Sequence, residues 1–400
     1  MALDEMFSNK GEQLRACYDA LMKKCDSHLE KMHQELPLPQ DKWNEALISR
    51  GVSRRDFLKW CSIMTAALTL PPAFTPKVAQ AAEMASRIPV VWLNLSECTG
   101  CTEALLRSSY PNIDDLILDT ISLEYHETLM VASGHQAEEC LNEALEKFAG
   151  QFVCVIEGAI PLGMNGKYLT IGARGKTGYE IAKEVASKAA MVISIGSCSS
   201  FGNIPAARPN PTQARGIGDA LKIPTVNIAG CPPNATNFVG TLLHYILFGA
   251  LPALDRLGRP LWAYGKRIHD FCERRPHYDA GEFVEEWGDE YAKRGFCLYK
   301  VGCKGPYTYA NCSQVRFNQG SSWPVMAGHG CMGCTEPGFW DRMAPLEKPM
   351  ADHAPLPLAG VEATADEIGI GLAAVTLAGI GVHAVGSVLR GVGKEKGGEE

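Results

Sequence analysis

Ten cysteines and one histidine, spread from residue 98 to residue 334, form three groups of soft metal ligands. The groups have four, four and three members: Cys98, Cys101, Cys198 and Cys231; His269, Cys272, Cys297 and Cys303; Cys312, Cys331 and Cys334. Thiolates select iron–sulfur clusters or zinc over hard cations such as Mg²⁺. The three groups therefore predict three iron–sulfur clusters, and clusters in series are typical of chains that carry electrons.

The third group has no fourth cysteine nearby in the chain. Pro324 stands near the position where a fourth ligand could fall, and proline has no ligand atom. A cuboidal cluster that lacks one iron, [3Fe–4S], needs only three thiolates. The count therefore predicts this cluster type for the third group.

Other uses of these residues remain open from the sequence. Fifteen cysteines in an exported chain would also fit disulfide bonds, although CxxC and HxxC are metal-ligand spacings. Zinc binds thiolates too, but a structural zinc site closes with four ligands and the third group has three. His269 is either a ligand, since it lies three residues before Cys272, or an ordinary surface or core histidine.

From residue 88 onward, short β-branched runs alternate with helical stretches, which predicts an α/β fold with a parallel sheet. The predicted strands are 89–95, 116–122, 152–156, 191–195 and 225–229, and the predicted helices include 136–148 and 178–189. Cys154, inside one of these strands, is expected to be a core residue. The net charge of −7 argues against nucleic acid as a partner.

The first ligand group follows the ends of three predicted strands. Open α/β sheets bind ligands beyond the carboxyl ends of their strands, so these loops are expected to deliver four cysteines to one place. Glu97 and Glu157 follow strands at the same rim. Each is either a member of a proton relay or a solvated loop carboxylate or helix N-terminal charge.

After about residue 265 the alternation ends, and the chain becomes rich in Gly, Pro and aromatic residues. This composition predicts loops and short helices folded around metal clusters, which substitute for part of a hydrophobic core. A helical segment is expected at 282–294, between the second and third ligands of the second group.

The N-terminal region carries an export signal. Ser53–Arg54–Arg55 begins a twin-arginine motif, a mildly apolar run follows at 61–70, and Ala79–Gln80–Ala81 fits a cleavage site. The alternative is a helix start with two chance arginines. Residues 11–35 are expected to form an amphipathic helix, so either the signal has a long leader or translation starts later.

The C-terminal region contains 22 residues without charge, 368–389, long enough to span a bilayer as a helix. Arg390, Lys394 and Lys396 follow, which places the tail in the cytoplasm and the body outside. A buried core helix is the alternative. His383 within this stretch is either a packing residue that faces a partner or a heme ligand.

Seven segments together make the chain closely resemble the small, electron-transfer subunit of nickel–iron hydrogenases. They are the twin-arginine motif, ECTGC at 97–101, GSCS at 196–199, GCPPN at 230–234, HDFCERRPHYDAGEF from 269, CLYKVGCKGP from 297 and NCSQVRFNQGSSWPVMAGHGCMGC from 311. The resemblance implies a flavodoxin-like domain that holds a proximal [4Fe–4S] cluster with the first group. It also implies a distal [4Fe–4S] cluster on the second group and a medial [3Fe–4S] cluster on the third, beside Pro324.

The resemblance also implies partners. The family's nickel–iron centre lies in a separate large subunit, and this chain has no thiolates left over for a nickel site, so no catalytic residue is expected on it. The anchor resembles that of membrane-bound uptake enzymes, whose distal cluster passes electrons to a cytochrome b and then to quinone. Export would use the twin-arginine machinery and place the chain on the periplasmic face of the membrane.

The expected domains are a leader at 1–82, a flavodoxin-like domain at 83–265, an irregular and mostly helical cluster domain at 266–350, a linker at 351–367 and an anchor at 368–390. Oxygen-tolerant relatives carry two extra cysteines around the proximal cluster, where this chain has Gly100 and Asn203, so a standard proximal cluster is expected. The alternative function is electron transfer within another respiratory complex, such as the related subunit of complex I, which shares the GxC and GCPP loops.

Overall fold

The structure, a computed structural model, describes residues 2–35, 53–85, 88–107, 122–318, 320–350, 353–355 and 362–395. It divides into two compact units, Met1–Lys348 and Pro349–Glu400. The domain boundaries expected inside the first unit stay predictions.

A parallel sheet of five strands forms the centre of the first unit. Its strands are β1 (Pro89–Asn94), β2 (Ser122–His126), β3 (Val153–Glu157), β7 (Met191–Ile195) and β9 (Val226–Ile228). They lie side by side in the order β2-β1-β3-β7-β9. Short antiparallel pairs join β4 (Ile160–Pro161) to β8 (Ala214–Arg215) and β5 (Thr170–Ile171) to β6 (Lys176–Thr177).

Helices cover both faces of the sheet. In chain order they are α1 (Ala2–Glu35), α2 (Arg54–Ala67), α3 (Thr75–Ala85), α4 (Gly100–Leu106), α5 (His135–Lys147), α6 (Gly178–Lys188), α7 (Gly196–Phe201), α8 (Ile217–Leu221) and α9 (Ala235–Phe248). The capping box of α6 shows how local sequence determines where a helix begins. The Thr177 hydroxyl accepts a hydrogen bond from the Glu180 backbone amide, and the Glu180 carboxylate accepts one from the Thr177 backbone amide.

Alternation along the strands gives the sheet two apolar faces. Val90 and Trp92 of β1 face a core that includes α9 and the three N-terminal helices, whereas Val91 and Leu93 face a core with α5 and α6. Fully buried parallel strands of this kind are apolar on both sides. Cys154 is fully buried in the second core, as expected from its position in an apolar strand.

The segment after residue 260 is irregular, as expected. Its helices are short: α10 (Leu261–Tyr264), α11 (Arg275–Asp279), α12 (Glu290–Lys293), α13 (Cys312–Val315) and α14 (Phe339–Arg342), with 3₁₀ turns at Ile268–Phe271 and Gly305–Tyr307. Two further 3₁₀ turns, Pro72–Phe74 and Gly163–Gly166, lie earlier in the chain. A third core forms here around Tyr264, Ile268 and Trp323.

Six predicted elements are confirmed within one or two residues: the strands at 89–95, 152–156, 191–195 and 225–229 and the helices at 136–148 and 178–189. The strand predicted at 116–122 lies almost wholly outside the described residues. The helix predicted at 282–294 is wrong except for α12. Phe283 instead pairs with Cys297 as an isolated bridge, and Gly288 has a φ of 84°, which ends any helix before Asp289 caps the short one.

The second unit contains a short antiparallel pair, β10 (His353–Pro355) and β11 (Glu362–Thr364), and a long helix, α15 (Ala365–Glu395). Within α15, Gly369–Gly386 is long and apolar enough to cross a membrane, and none of that stretch is buried. The alternative of a buried core helix is therefore wrong for these residues.

Candidate metal centres

Three loops at one rim of the sheet bring the first ligand group together. Cys98 and Cys101 follow β1, Cys198 lies in α7 directly after β7, and Cys231 follows β9. Cys101 lies within electrostatic range of the other three cysteines. The rim includes the point between β1 and β3 where the strand order reverses, which is where open α/β sheets bind ligands.

Main-chain contacts lock these loops. The Ser197 backbone amide donates to the Gly230 carbonyl over 2.8 Å, and the Gly230 amide donates to the Ser197 hydroxyl over 2.8 Å. Gly196 has a φ of 85°, and a Cβ placed on it would lie 2.4 Å from the Cys101 sulfur. The position therefore requires glycine, for its conformation and for the space it leaves to the sulfur.

Glu157, at the end of β3, is buried under the same rim with 1% of its surface exposed. Its carboxylate accepts from the Cys101 amide at 2.9 Å and from the Thr102 hydroxyl at 2.5 Å. Glu97 accepts from the Thr99 hydroxyl at 3.2 Å, and burial, followed by the nearby Glu157, raises the pKa of Glu97. These contacts disfavour the solvated-loop alternative, because Glu157 is enclosed and Glu97 is partly desolvated.

His126, which sequence reasoning missed, extends this network inward. Its Nδ1 accepts from the Thr128 amide at 3.2 Å, which leaves the proton on Nε2, 3.3 Å from the Thr102 hydroxyl. Its ring stacks on Trp92 at 5.2 Å. Burial lowers the pKa of His126 to about 4. The sequence signal was a polar residue at the carboxyl end of a strand, but only Ser122, the first residue of β2, falls within the predicted range 116–122.

All four members of the second ligand group line one cavity. His269 and Cys272 are held by the 3₁₀ turn Ile268–Phe271, while Cys297 and Cys303 flank a turn after α12. Burial is the main cause that lowers the pKa of His269, which favours the neutral imidazole that binds metals. The Arg274 amide lies 3.4 Å from the Cys272 sulfur, in position to donate to a thiolate.

The third ligand group lies on a groove whose lining includes Cys312, Cys331 and Cys334. Pro324 lines the same groove. Cys312 begins α13, and the Gly333 amide donates to the Cys331 sulfur at 3.4 Å. The three cysteines lie within electrostatic range of one another, and the proline lines the same groove.

Hydrogen bonds and electrostatic interactions link neighbouring groups. Cys231 of the first group lies within electrostatic range of Cys334 in the third, and the Ser197 hydroxyl, next to Cys198, donates to the Cys334 carbonyl. The Cys331 amide of the third group donates to the sulfur of Cys303 in the second over 3.3 Å. The spatial order is therefore first, third, second group, which differs from their order along the chain.

A buried arginine fastens the junction between the first and third groups. Arg259 has a side chain only 4% exposed, and it bonds Asp255 at 2.8 Å and Glu336 at 3.1 Å. The same guanidinium donates to the Thr335 carbonyl at 2.9 Å, next to Cys334. No sequence pattern marked Arg259, because its partner Glu336 lies 77 residues away.

The donor chemistry fits clusters better than single ions. Burial raises the pKa of Cys198, Cys272, Cys312 and Cys334 to about 12 each, so bound positive charge is needed to hold them as thiolates. Among the residues that the structure describes, no three His, Cys, Asp or Glu side chains are placed to hold one metal ion. Ligands of a cluster bind different iron atoms and can stand further apart than the ligands of a single ion. The fifteen cysteines are free thiols in the structure.

Two protein families match parts of the chain. The C-terminal family of the NiFe/NiFeSe hydrogenase small subunit matches residues 264–347. The family described as NADH ubiquinone oxidoreductase, 20 Kd subunit, matches residues 98–245. The second match is the likeness to complex I noted from the GxC and GCPP loops, and it ends before the second and third ligand groups.

Full-length relatives cover most of the chain. The quinone-reactive Ni/Fe-hydrogenase small chain of Wolinella succinogenes is 56% identical over 346 residues, which is 86% of this chain and 98% of that protein. The uptake hydrogenase small subunit of Azotobacter vinelandii is 48% identical over 342 residues, 85% of this chain and 94% of that one. Among solved structures, a reduced, active Ni-Fe-Se hydrogenase from Desulfomicrobium baculatum matches with a TM-score of 0.61 and 38% identity, covering 65% of this chain and 98% of that one.

Proposed function

Because the chain belongs to the small-subunit family of nickel–iron hydrogenases, we propose that it relays electrons from a large subunit's nickel–iron centre through three iron–sulfur clusters to a membrane acceptor. As a hydrogenase subunit it takes part in H₂ = 2 H⁺ + 2 e⁻, with the active site in the large subunit. The observation that carries the proposal is the series of ligand groups, in which the first group neighbours the third and the third neighbours the second.

Each group is assigned one cluster. The first group would hold a proximal [4Fe–4S] cluster, the third a medial [3Fe–4S] cluster and the second a distal [4Fe–4S] cluster, and these clusters supply reversible one-electron chemistry. The strand order of the sheet is that of flavodoxin-like folds, which supports a flavodoxin-like domain around the proximal site. Pro324 on the medial groove supports a cluster with three thiolate ligands.

The protein's own groups do the positioning. Loops fix the sulfurs, and the backbone amides of Arg274, Gly333 and Cys331 donate to sulfurs, which stabilises the negative charge of a thiolate. The side-chain amide of Asn94 donates hydrogen bonds to the carboxylates of Glu97 and Glu157 and so bridges them at the rim. This arrangement supports a role in moving protons at the surface where the large subunit would bind.

The two ends of the chain support a place at the membrane. Arg54 and Arg55 begin α2 and are exposed, as recognition by the twin-arginine machinery requires. The apolar stretch Gly369–Gly386 supports a C-terminal anchor, with the body on the periplasmic side. A cytochrome b is the proposed acceptor for the distal cluster, and His383 in the anchor is a packing residue or a heme ligand.

Metal analysis and electron paramagnetic resonance of the anaerobically purified complex test the assignment. We expect nickel in the partner and about eleven iron atoms bound to this chain. Cys312→Ser should remove the medial [3Fe–4S] signal, whereas the matched Cys140→Ser, outside all three groups, should leave every signal intact. A complex that contains no nickel and consumes no hydrogen with a dye acceptor would contradict the proposal, as would a Cys312→Ser protein with three unchanged clusters.

A further inference from the structure

The leader, residues 1–82, is packed into the body of the protein. On α1, Cys25 and Leu29 are 0% and 5% exposed; on α2, Trp60 and Met64 are 5% and 2% exposed. These side chains share one core with α9, the helix that follows the last sheet strand. The described parts of the leader are therefore folded against the chain that they precede.

Specific contacts fix this packing. Phe74 lies between Tyr18 of α1, 5.8 Å away edge to face, and Phe248 of α9, 6.2 Å away. Lys77 of α3 pairs with Asp26 of α1 at 2.5 Å. These interactions tie α1, α3 and α9 to one another.

Docking hides the sites that export would use. Ala81, at the expected cleavage point, is 0% exposed and lies inside α3, whereas a peptidase needs an accessible, extended chain. Phe57 of the twin-arginine motif is 4% exposed, although Arg54 and Arg55 are accessible. The docked leader must leave α9 before it can be cut.

Removal of the leader uncovers the apolar face of α9, which includes Leu243, Leu247 and Phe248. A contiguous apolar patch on a mature protein is normally covered by a partner. The groove that carries the medial ligands is also lined by Trp60 and Met64 of the leader, by Val239 in the first turns of α9 and by Cys231 of the proximal group. The leader therefore lines the approach to the surface where the large subunit would bind.

We propose that the leader is an intramolecular placeholder on α9, which the hydrogenase large subunit displaces when the two chains pair. This inference rests on the proposed pairing and export. Displacement frees the signal from α9 in assembled complexes. The α1 helix contributes by holding α3 in place through Leu29, Phe74 and the Asp26–Lys77 pair.

Hydrogen–deuterium exchange of the full-length precursor, alone and bound to the large subunit, tests the proposal. In the free precursor, peptides from 13–34 and 75–85 should be protected from exchange. On binding, these peptides should gain deuterium, whereas 235–248 should stay protected because one cover replaces another. Leader peptides that stay protected in the complex would overturn the proposal.

Matched substitutions on α1 sharpen the test. Leu29→Asp places a charge in the buried contact and should make the precursor bind the large subunit several-fold more tightly, because the competing leader is weakened. Leu14→Asp, at a side chain 71% exposed, should bind like the wild type. Asp26→Lys, which opposes Lys77, is a milder second variant should Leu29→Asp fold poorly. Equal binding by the Asp26→Lys and Leu14→Asp precursors would overturn the placeholder role.

Failure of the proposed function would look different. A complex without nickel or hydrogen oxidation contradicts the hydrogenase assignment, whatever the leader does. An intact leader in the membrane-bound protein, seen by mass spectrometry, contradicts export processing but leaves the exchange result to decide displacement.

Discussion

Arg259→Leu should strongly destabilise the junction between the proximal and medial sites. The substitution leaves Glu336 and Asp255, with side chains 13% and 15% exposed, as buried charges without their cation. Removing one partner of a buried ion pair costs about 3–5 kcal/mol, because the remaining charge is desolvated and unpaired. The Thr335 carbonyl also loses its donor.

The matched control is Arg215→Leu. Arg215 pairs with Asp219 at 2.9 Å, but the two side chains are 57% and 49% exposed. An exposed pair of this kind contributes about 0.5 kcal/mol, roughly a tenth of the buried case. The two variants remove the same side chain from opposite environments.

Differential scanning fluorimetry of the anaerobic complex measures the difference. At about 2–4 °C per kcal/mol, Arg259→Leu should lower the apparent unfolding temperature by on the order of 10 °C, and Arg215→Leu by about 2 °C or less. The medial cluster signal should also weaken only in Arg259→Leu, because Glu336 lies two residues from Cys334. Equal unfolding temperatures for the two variants would refute the reasoning.

Three further substitutions address individual sites. Pro324→Cys should convert the medial cluster to [4Fe–4S], because it adds a thiolate to the groove. The [3Fe–4S] signal should be lost, and the iron content should rise by about one atom per chain. An unchanged signal would contradict the assignment of a three-thiolate site beside this proline. Gly196→Ala should reduce the occupancy of the proximal cluster, because the added Cβ would lie 2.4 Å from the Cys101 sulfur. The control Gly281→Ala should retain full iron content, because Gly281 has a similar φ of 74° but no atom within 4 Å of an added Cβ. Burial lowers the pKa of His126 to about 4, so its contribution to stability is fully present above about pH 6.5 and is lost as the pH falls toward 4. The expected loss of stability at pH 5 is about 2 kcal/mol. His126→Gln should reduce the difference in unfolding temperature between pH 7 and pH 5, and an unchanged difference would exclude His126 as the cause.

Sequence reasoning found what local chemistry encodes. Strands such as β3 and β7 were predictable because β-branched runs bounded by glycine favour extended backbone. The ligand groups were predictable because soft ligands at close spacing have few other uses. The helix expected at 282–294 failed because charged residues suggested helix, while the turn at Gly288 was not recognised.

Contacts between distant segments were beyond the sequence. The electrostatic interaction of Cys231 with Cys334 and the amide–sulfur hydrogen bond from Cys331 to Cys303 link loops from different parts of the chain. No periodic pattern in the sequence indicates which loops meet. Arg259 gave no signal for the same reason. Docking of the leader on α9 also depends on tertiary packing, since an amphipathic helix does not specify the surface it covers.

The hydrogen bond from the Cys331 amide to the Cys303 sulfur has an evolutionary consequence. Its donor is a main-chain group, so only loss of the acceptor Cys303, or a proline at position 331, deletes it directly. The remaining constraint passes to neighbours that permit close approach: a Cβ on Gly330 would lie 2.8 Å from the Cys303 Cα. Mutational drift can therefore alter most other side chains around this junction without breaking it, and a change at this one small residue is the more damaging event.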